Sequence, residues 1–139
     1  MISKSLEETK KIAADFALTL QGGEVVALEG ELGVGKTTFT QGLAEALGAE
    51  GLARSPTFTV MNVYPAASEK IKTIVHIDAY RLRTPNDLLN LGLDEWVGRP
   101  EAIVLIEWPH MVESAEIKAD RVVKITTDEQ MNERVIEIE

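Results

Sequence analysis

Residues Gly30-Glu31-Leu32-Gly33-Val34-Gly35-Lys36-Thr37 satisfy every fixed position of the pattern G-x-x-x-x-G-K-[ST], and their flanks decide how the chain folds. The pattern specifies chemistry as well as shape. Backbone N–H groups wrap the phosphates of a nucleotide, the lysine reaches the β- and γ-phosphate oxygens, and the Ser/Thr hydroxyl ligates Mg²⁺. Before the loop, Glu24-Val25-Val26-Ala27-Leu28 is an apolar run of strand length entered through Gly22-Gly23. After it, Phe39, Leu43, Ala46 and Leu47 recur at helical spacing until Gly48 supplies a stop. Strand, glycine loop and helix are the setting the pattern requires, and a chance glycine-rich turn rarely falls between such neighbours. The segment predicts a nucleoside-triphosphate site.

Outward from this segment the chain alternates helix and strand signals. Ser5-Leu6-Glu7-Glu8 is an S-x-x-E capping box that opens a helix to about Leu20, with Leu6, Ala13, Phe16, Ala17 and Leu20 as its buried stripe. Phe58 to Tyr64 and Ile71 to Asp78 read as strands joined by a turn-rich connection, an antiparallel hairpin or meander. Thr84-Pro85-Asn86-Asp87 starts a short helical stretch ending near Gly92. Ala102 to Ile106 is uninterrupted apolar sequence, as expected of a strand covered on both faces. Arg121 to Thr126 and Glu133 to Ile138 alternate apolar and polar residues and predict a second hairpin. The sum is an α/β fold over residues 1–139 as one domain, with a mixed sheet, parallel around the loop and antiparallel toward its edges, flanked by helices.

Composition narrows the function. The 139 residues suit a single core. The chain contains no cysteine, which excludes disulfides and thiolate metal sites. Its longest apolar runs fall far short of the ~20 residues that cross a bilayer, so no membrane role and a cytoplasmic location are expected. Fourteen Lys+Arg against 23 Asp+Glu give a net charge of −9. Affinity for nucleic acid comes mostly from cations that displace phosphate counterions. Direct DNA or RNA binding is therefore not expected, and any role in a nucleic-acid pathway would run through a partner protein.

A phosphate loop needs a second acid near the metal, normally at the end of a neighbouring hydrophobic strand. Asp78 ends Ile74-Val75-His76-Ile77-Asp78, and Glu107 ends Ile103-Val104-Leu105-Ile106-Glu107. Carboxyl ends of parallel strands line the ligand crevice, so either acid suits the Mg²⁺, and Glu107 follows the better apolar run. Ser55-Pro56-Thr57-Phe58 reads either as a switch-type segment that contacts the γ-phosphate or as a plain turn into a strand. His76 alternates with buried aliphatics and reads as a structural histidine; Tyr64 and Tyr80 read as packing residues.

Taken together, G-E-L-G-V-G-K-T-T, S-P-T-F-T-V, H-I-D-A-Y-R-L, G-L-D-E-W and I-E-W-P, in this order, resemble the TsaE (YjeE) family of bacterial P-loop ATPases. The resemblance runs from the helix carrying Thr9 to at least Pro109. Its distinctive segments are H-I-D-A-Y-R and I-E-W-P. It implies an ATPase that supports the TsaB–TsaD pair in making N6-threonylcarbamoyladenosine in tRNA, with TsaD as the transferase and tRNA met only through that complex. By the family's motifs, Lys36 would hold the β- and γ-phosphates, and Thr37 with Glu107 would hold Mg²⁺. Thr38 would contact the α-phosphate side, and Glu31, Leu32, Gly33, Val34 and Gly35 would complete the loop around ATP. Asp78 resembles the acid that positions the attacking water or the metal shell, Thr57 the γ-phosphate sensor, and Thr9 a position close to the nucleotide. Trp108 follows the metal acid where the family carries an important aromatic, although a core or lid role comes first. Arg81 suits a salt bridge better than a transition-state contact. The sequence after Pro109 supports the fold without assigning a residue.

Other activities fit less well. A small-molecule kinase would need an arginine-rich lid, and the arginines here are scattered. A GTPase would need N-K-x-D and D-x-x-G signatures, and neither occurs.

Overall fold

The structure is a computed structural model that describes residues 1–30, 35–49, 61–78, 92, 95–107, 119–128 and 133–139. In chain order the described elements are β1 (Ile2–Ser3), α1 (Leu6–Ala17), β2 (Val25–Glu29), α2 (Lys36–Ala46), β3 (Met61–Pro65), β4 (Thr73–Asp78), β5 (Ala102–Glu107), β6 (Arg121–Asp128) and β7 (Glu133–Ile138).

The strands form one sheet in the order β1-β7-β6-β2-β5-β4-β3. β2 runs parallel to β5 on one side and to β6 on the other, and β4 runs parallel to β5. The outer pairs β3–β4, β6–β7 and β1–β7 are antiparallel. The expected mixed sheet is therefore present, and both expected hairpins pair as antiparallel strands. β1 is an addition: two residues are too few for a strand signal, and Ile2 and Ser3 are ordered by pairing with Val135 and Arg134.

Burial follows the sequence patterns. Ala102 to Ile106 are all buried, as an apolar run in a doubly covered strand demands. Side chains alternate across the sheet and divide the core in two. Val26 and Leu28 of β2, Ile74 of β4 and Ile103 and Leu105 of β5 pack with Phe16 of α1 and with Phe39 and Leu43 of α2. Val25, Ala27, Val75, Ile77, Val104 and Ile106 form the core of the opposite face. Each fully buried aliphatic or aromatic side chain of this kind contributes about 1.5–3 kcal/mol.

The two helices lie on one face and against each other. A Cβ built at Gly42 would stand 2.8 Å from both the Cα and the carbonyl oxygen of Lys10, so only glycine allows this approach. Ser5 caps α1, accepting from the Glu8 N–H at 3.1 Å, while the Glu8 carboxylate accepts from the Lys4 N–H at 2.6 Å. The capping box thus forms with its return bond shifted by one residue.

One expectation about the helix faces fails. Leu6, the first residue of α1, is 58 % exposed and takes no part in the buried stripe. In α2, Phe39, Leu43 and Leu47 are buried, while Ala46 in the last turn is exposed. α1 ends at Ala17, three residues short of Leu20, which nevertheless remains in the core. The segment 84–91 lies outside the described residues.

Candidate functional site

Every parallel strand of this sheet ends at the same edge, and β2 delivers the glycine loop there. Gly35 is the cap of α2, with φ 102° and ψ 13°, a left-handed conformation that costs other residues about 1–2 kcal/mol. Without a side chain it places no capping oxygen over the first turn, and no acidic residue occupies that turn. A helix that begins in this way offers its N–H groups and the positive end of its dipole to an anion. Lys36, the first helical residue, is buried to 7 % exposure, whereas Thr37 is exposed and Thr38 half-buried. A buried lysine at an N–H-lined helix start has the chemistry to meet a phosphate group. Residues 31–34 lie outside the described residues, and so do Thr57, Arg81 and Trp108.

The two acids expected at strand ends come together. Asp78 and Glu107 are register partners on β4 and β5, and Glu107 is also level with Leu28 of β2. Alternation decides their direction. Leu105 belongs to the helix-side core and Ile106 to the opposite one, so Glu107 returns to the helix side. Ile74 and Ile77 place Asp78 on that side by the same count. Both carboxylates therefore stand on the face over which the chain turns from β2 into Lys36. Glu107 is partly buried, and His76, also on this face, brings Nε2 to 3.8 Å from Glu107 Oε1.

The donor chemistry fits a Mg²⁺–nucleotide. Thr37 offers a hydroxyl and Glu107 a carboxylate, both hard oxygen donors, and Mg²⁺ in such sites takes one or two protein oxygens with substrate phosphates and water. Among the described residues no group of three His, Asp or Glu side chains forms a metal cage of its own.

Thr9 is fully buried in α1. Its hydroxyl lies 2.7 Å from Ser3 Oγ and 3.2 Å from the Ser5 carbonyl oxygen. Ser3 in turn pairs with Arg134 across β1 and β7. The sequence assigned Arg134 no role, yet its side chain lies against the loop: a Cβ on Gly35 would meet Arg134 Nε at 2.8 Å and Cδ at 2.9 Å. No local motif surrounds Arg134. Only the pairing of β7 beside β6 carries it there.

Trp96, the last residue of G-L-D-E-W, stands away from the loop. Trp96 packs on the core of the face away from the helices, with the Arg99 guanidinium 4.8 Å from its ring centre. With Thr73 and Ala102 these residues line a cavity of about 410 Å³ at the amino ends of β4 and β5, the edge opposite the loop.

A mixed sheet with a parallel centre, helices packed on one face and two level acids at the strand ends define an α/β protein. The family described as "Threonylcarbamoyl adenosine biosynthesis protein TsaE" matches residues 3–136. The chain belongs to this family. It is 42 % identical over 107 residues to the Bacillus subtilis "tRNA threonylcarbamoyladenosine biosynthesis protein TsaE", covering 77 % of this chain and 64 % of that protein. It is 36 % identical over 126 residues to the protein of the same name from Streptomyces coelicolor, covering 86 % of this chain and 84 % of the relative. The chain thus spans a little under two thirds of the length of the first relative and most of the second. The crystal structure of Bacillus subtilis YdiB superposes with a TM-score of 0.74 at 33 % identity, covering 98 % of this chain and 80 % of YdiB.

Proposed function

We propose that this protein binds ATP with Mg²⁺ and hydrolyses it to drive the TsaB–TsaD complex in forming N6-threonylcarbamoyladenosine in tRNA. The observation that carries the reading is the placement of Lys36. It is buried at the first turn of a helix capped by left-handed Gly35, on the sheet face to which Asp78 and Glu107 are directed. Membership of a threonylcarbamoyladenosine biosynthesis family supplies the pathway.

The reaction is transfer of the γ-phosphoryl group to water: the bond from γ-phosphorus to the bridging oxygen of ADP breaks as water oxygen bonds to phosphorus. Catalysis comes from positioning and charge stabilisation. Lys36 holds the β- and γ-phosphate oxygens, and the N–H groups of the first turn of α2 hold the phosphates from the helix end. Asp78 orients the attacking water. Thr37 and Glu107 would hold Mg²⁺, which neutralises phosphate charge when bound. Thr57 acts as γ-phosphate sensor, and Thr9 and Arg134 support the loop from the β1–β7 side. Recognition of tRNA belongs to the partners, in keeping with a net charge of −9.

The deciding experiment measures ATP and GTP hydrolysis by the purified protein, alone and with TsaB–TsaD, with Glu107→Ala as control. ATP-selective turnover, weak alone, raised by the pair and reduced in the variant, is the expected result. Turnover indifferent to the pair would remove the pathway role and reopen the small-molecule kinase reading.

A further inference from the structure

His76 stands one strand away from Glu107 with an unsatisfied polar atom. Its Nε2 is buried and makes no hydrogen bond in the structure. Leaving such a group unsatisfied is costly, and most buried polar side-chain atoms in folded proteins have a partner. Its cross-strand neighbours are Leu105 on β5 and Asn62 on β3. Leu105 offers nothing polar. Among the described ion pairs, the acid that Nε2 approaches is Glu107, whose Oε1 lies 3.8 Å away, and both side chains are largely shielded from solvent, at 15 % and 16 % exposure. That distance is about 0.8 Å beyond an ordinary N–H···O contact. Active-site contacts of this kind often tighten only when substrate binds.

We infer that His76 is a positioning residue for Glu107: its Nε2–H donates to the Glu107 carboxylate and fixes which oxygen faces the phosphate loop. The inference deepens the proposed function and rests on its assignment of Glu107 to the metal. The geometry explains why a histidine sits here rather than an aliphatic residue. β4 needs a side chain that fills the helix-side core next to Ile74 and also carries a donor to the end of β5. Leu or Ile at this position would fill the space and leave the glutamate unrestrained. Groups that hold a metal-binding carboxylate in this way typically change metal affinity by about 10–100-fold when removed.

The test uses Mn²⁺, visible by electron paramagnetic resonance, titrated into the full chain with saturating ADP. His76→Leu should weaken Mn²⁺ binding by about tenfold, while His76→Gln, which keeps a donor, recovers most of it. In a Glu107→Gln background the His76→Leu substitution should have little further effect, because the two residues act as a unit. Thermal unfolding separates this from a structural role, since His76→Leu should unfold no lower than the parent. A third readout needs no ligand: imidazole ¹⁵N spectra of the nucleotide-free protein should show Nε2 protonated, with its signal moved in Glu107→Ala. Unchanged Mn²⁺ affinity in His76→Leu, an equal loss in the Glu107→Gln background, or an unprotonated Nε2 would overturn the inference. Failure of the parent itself to bind Mn²⁺ with ADP would instead overturn the metal site, and the inference with it.

Discussion

The Arg134 side chain occupies the space into which a side chain on Gly35 would grow: a Cβ there would stand 2.8 Å from Arg134 Nε. Gly35 is thus held to glycine twice, by its left-handed backbone and by the arginine packed over it. Gly35→Ala should weaken ATP binding by at least about tenfold, combining about 1–2 kcal/mol of backbone strain with displacement of Arg134. Arg134→Ala should lower affinity several-fold with a smaller effect on folding. Calorimetric titration of ATP into both variants measures this. Unchanged affinity in Arg134→Ala would reduce that residue to packing.

Lys36 is the cation of the proposed phosphate site and is buried at the start of α2. Lys36→Ala should lose triphosphate affinity by about a hundredfold, as expected when a charge-assisted contact of roughly 3 kcal/mol is removed. The same titration reads the outcome, and parent-like ATP affinity would contradict the assignment of the loop.

Asp78 and Glu107, level on neighbouring strands, should separate in kinetics. Asp78→Asn keeps the shape but removes the charge that orients water. It should lower kcat by about 10²-fold or more, with ATP affinity nearly retained. Glu107→Ala should impair Mg²⁺-dependent turnover more than ADP binding. Steady-state hydrolysis paired with ADP titration distinguishes the two patterns. A Glu107→Ala protein that hydrolyses ATP like the parent would refute the metal assignment.

Close helix packing makes Gly42 a stability position. Alanine is the better helix former by about 1 kcal/mol, so propensity alone predicts a stabilised variant. The contacts at 2.8 Å from Lys10 backbone atoms decide otherwise, since these atoms move only with α1. Gly42→Ala should therefore be destabilised by about 1–3 kcal/mol, the usual penalty of overpacking. Thermal unfolding should register this as a loss of several degrees.

Removing the Ser5 cap tests the first helix separately. Ser5→Ala frees the Glu8 N–H and should cost about 1 kcal/mol, or about 2–4 °C in Tm, without altering ATP affinity.

The local parts of this protein are written in short stretches of its chain. The apolar run Val25 to Leu28, the glycines and lysine of the loop and the stripe of α2 each encode a strand, a turn or a helix within a few residues. Those signals also named Lys36, Thr37, Asp78 and Glu107 as candidates. Where local reasoning erred, at Leu6, helical spacing was right but the extent of the covering surface was not encoded nearby. Tertiary structure alone decided the relations between distant segments. Strand order and register made Asp78 level with Glu107, alternation through two core layers turned both toward α2, antiparallel pairing brought Arg134 over Gly35, and the parallel pairing of β4 with β5 brought His76 beside Glu107. The physical reason is that a side chain's periodicity is written in its own strand or helix, whereas its neighbour is chosen by which strands pair and in what register.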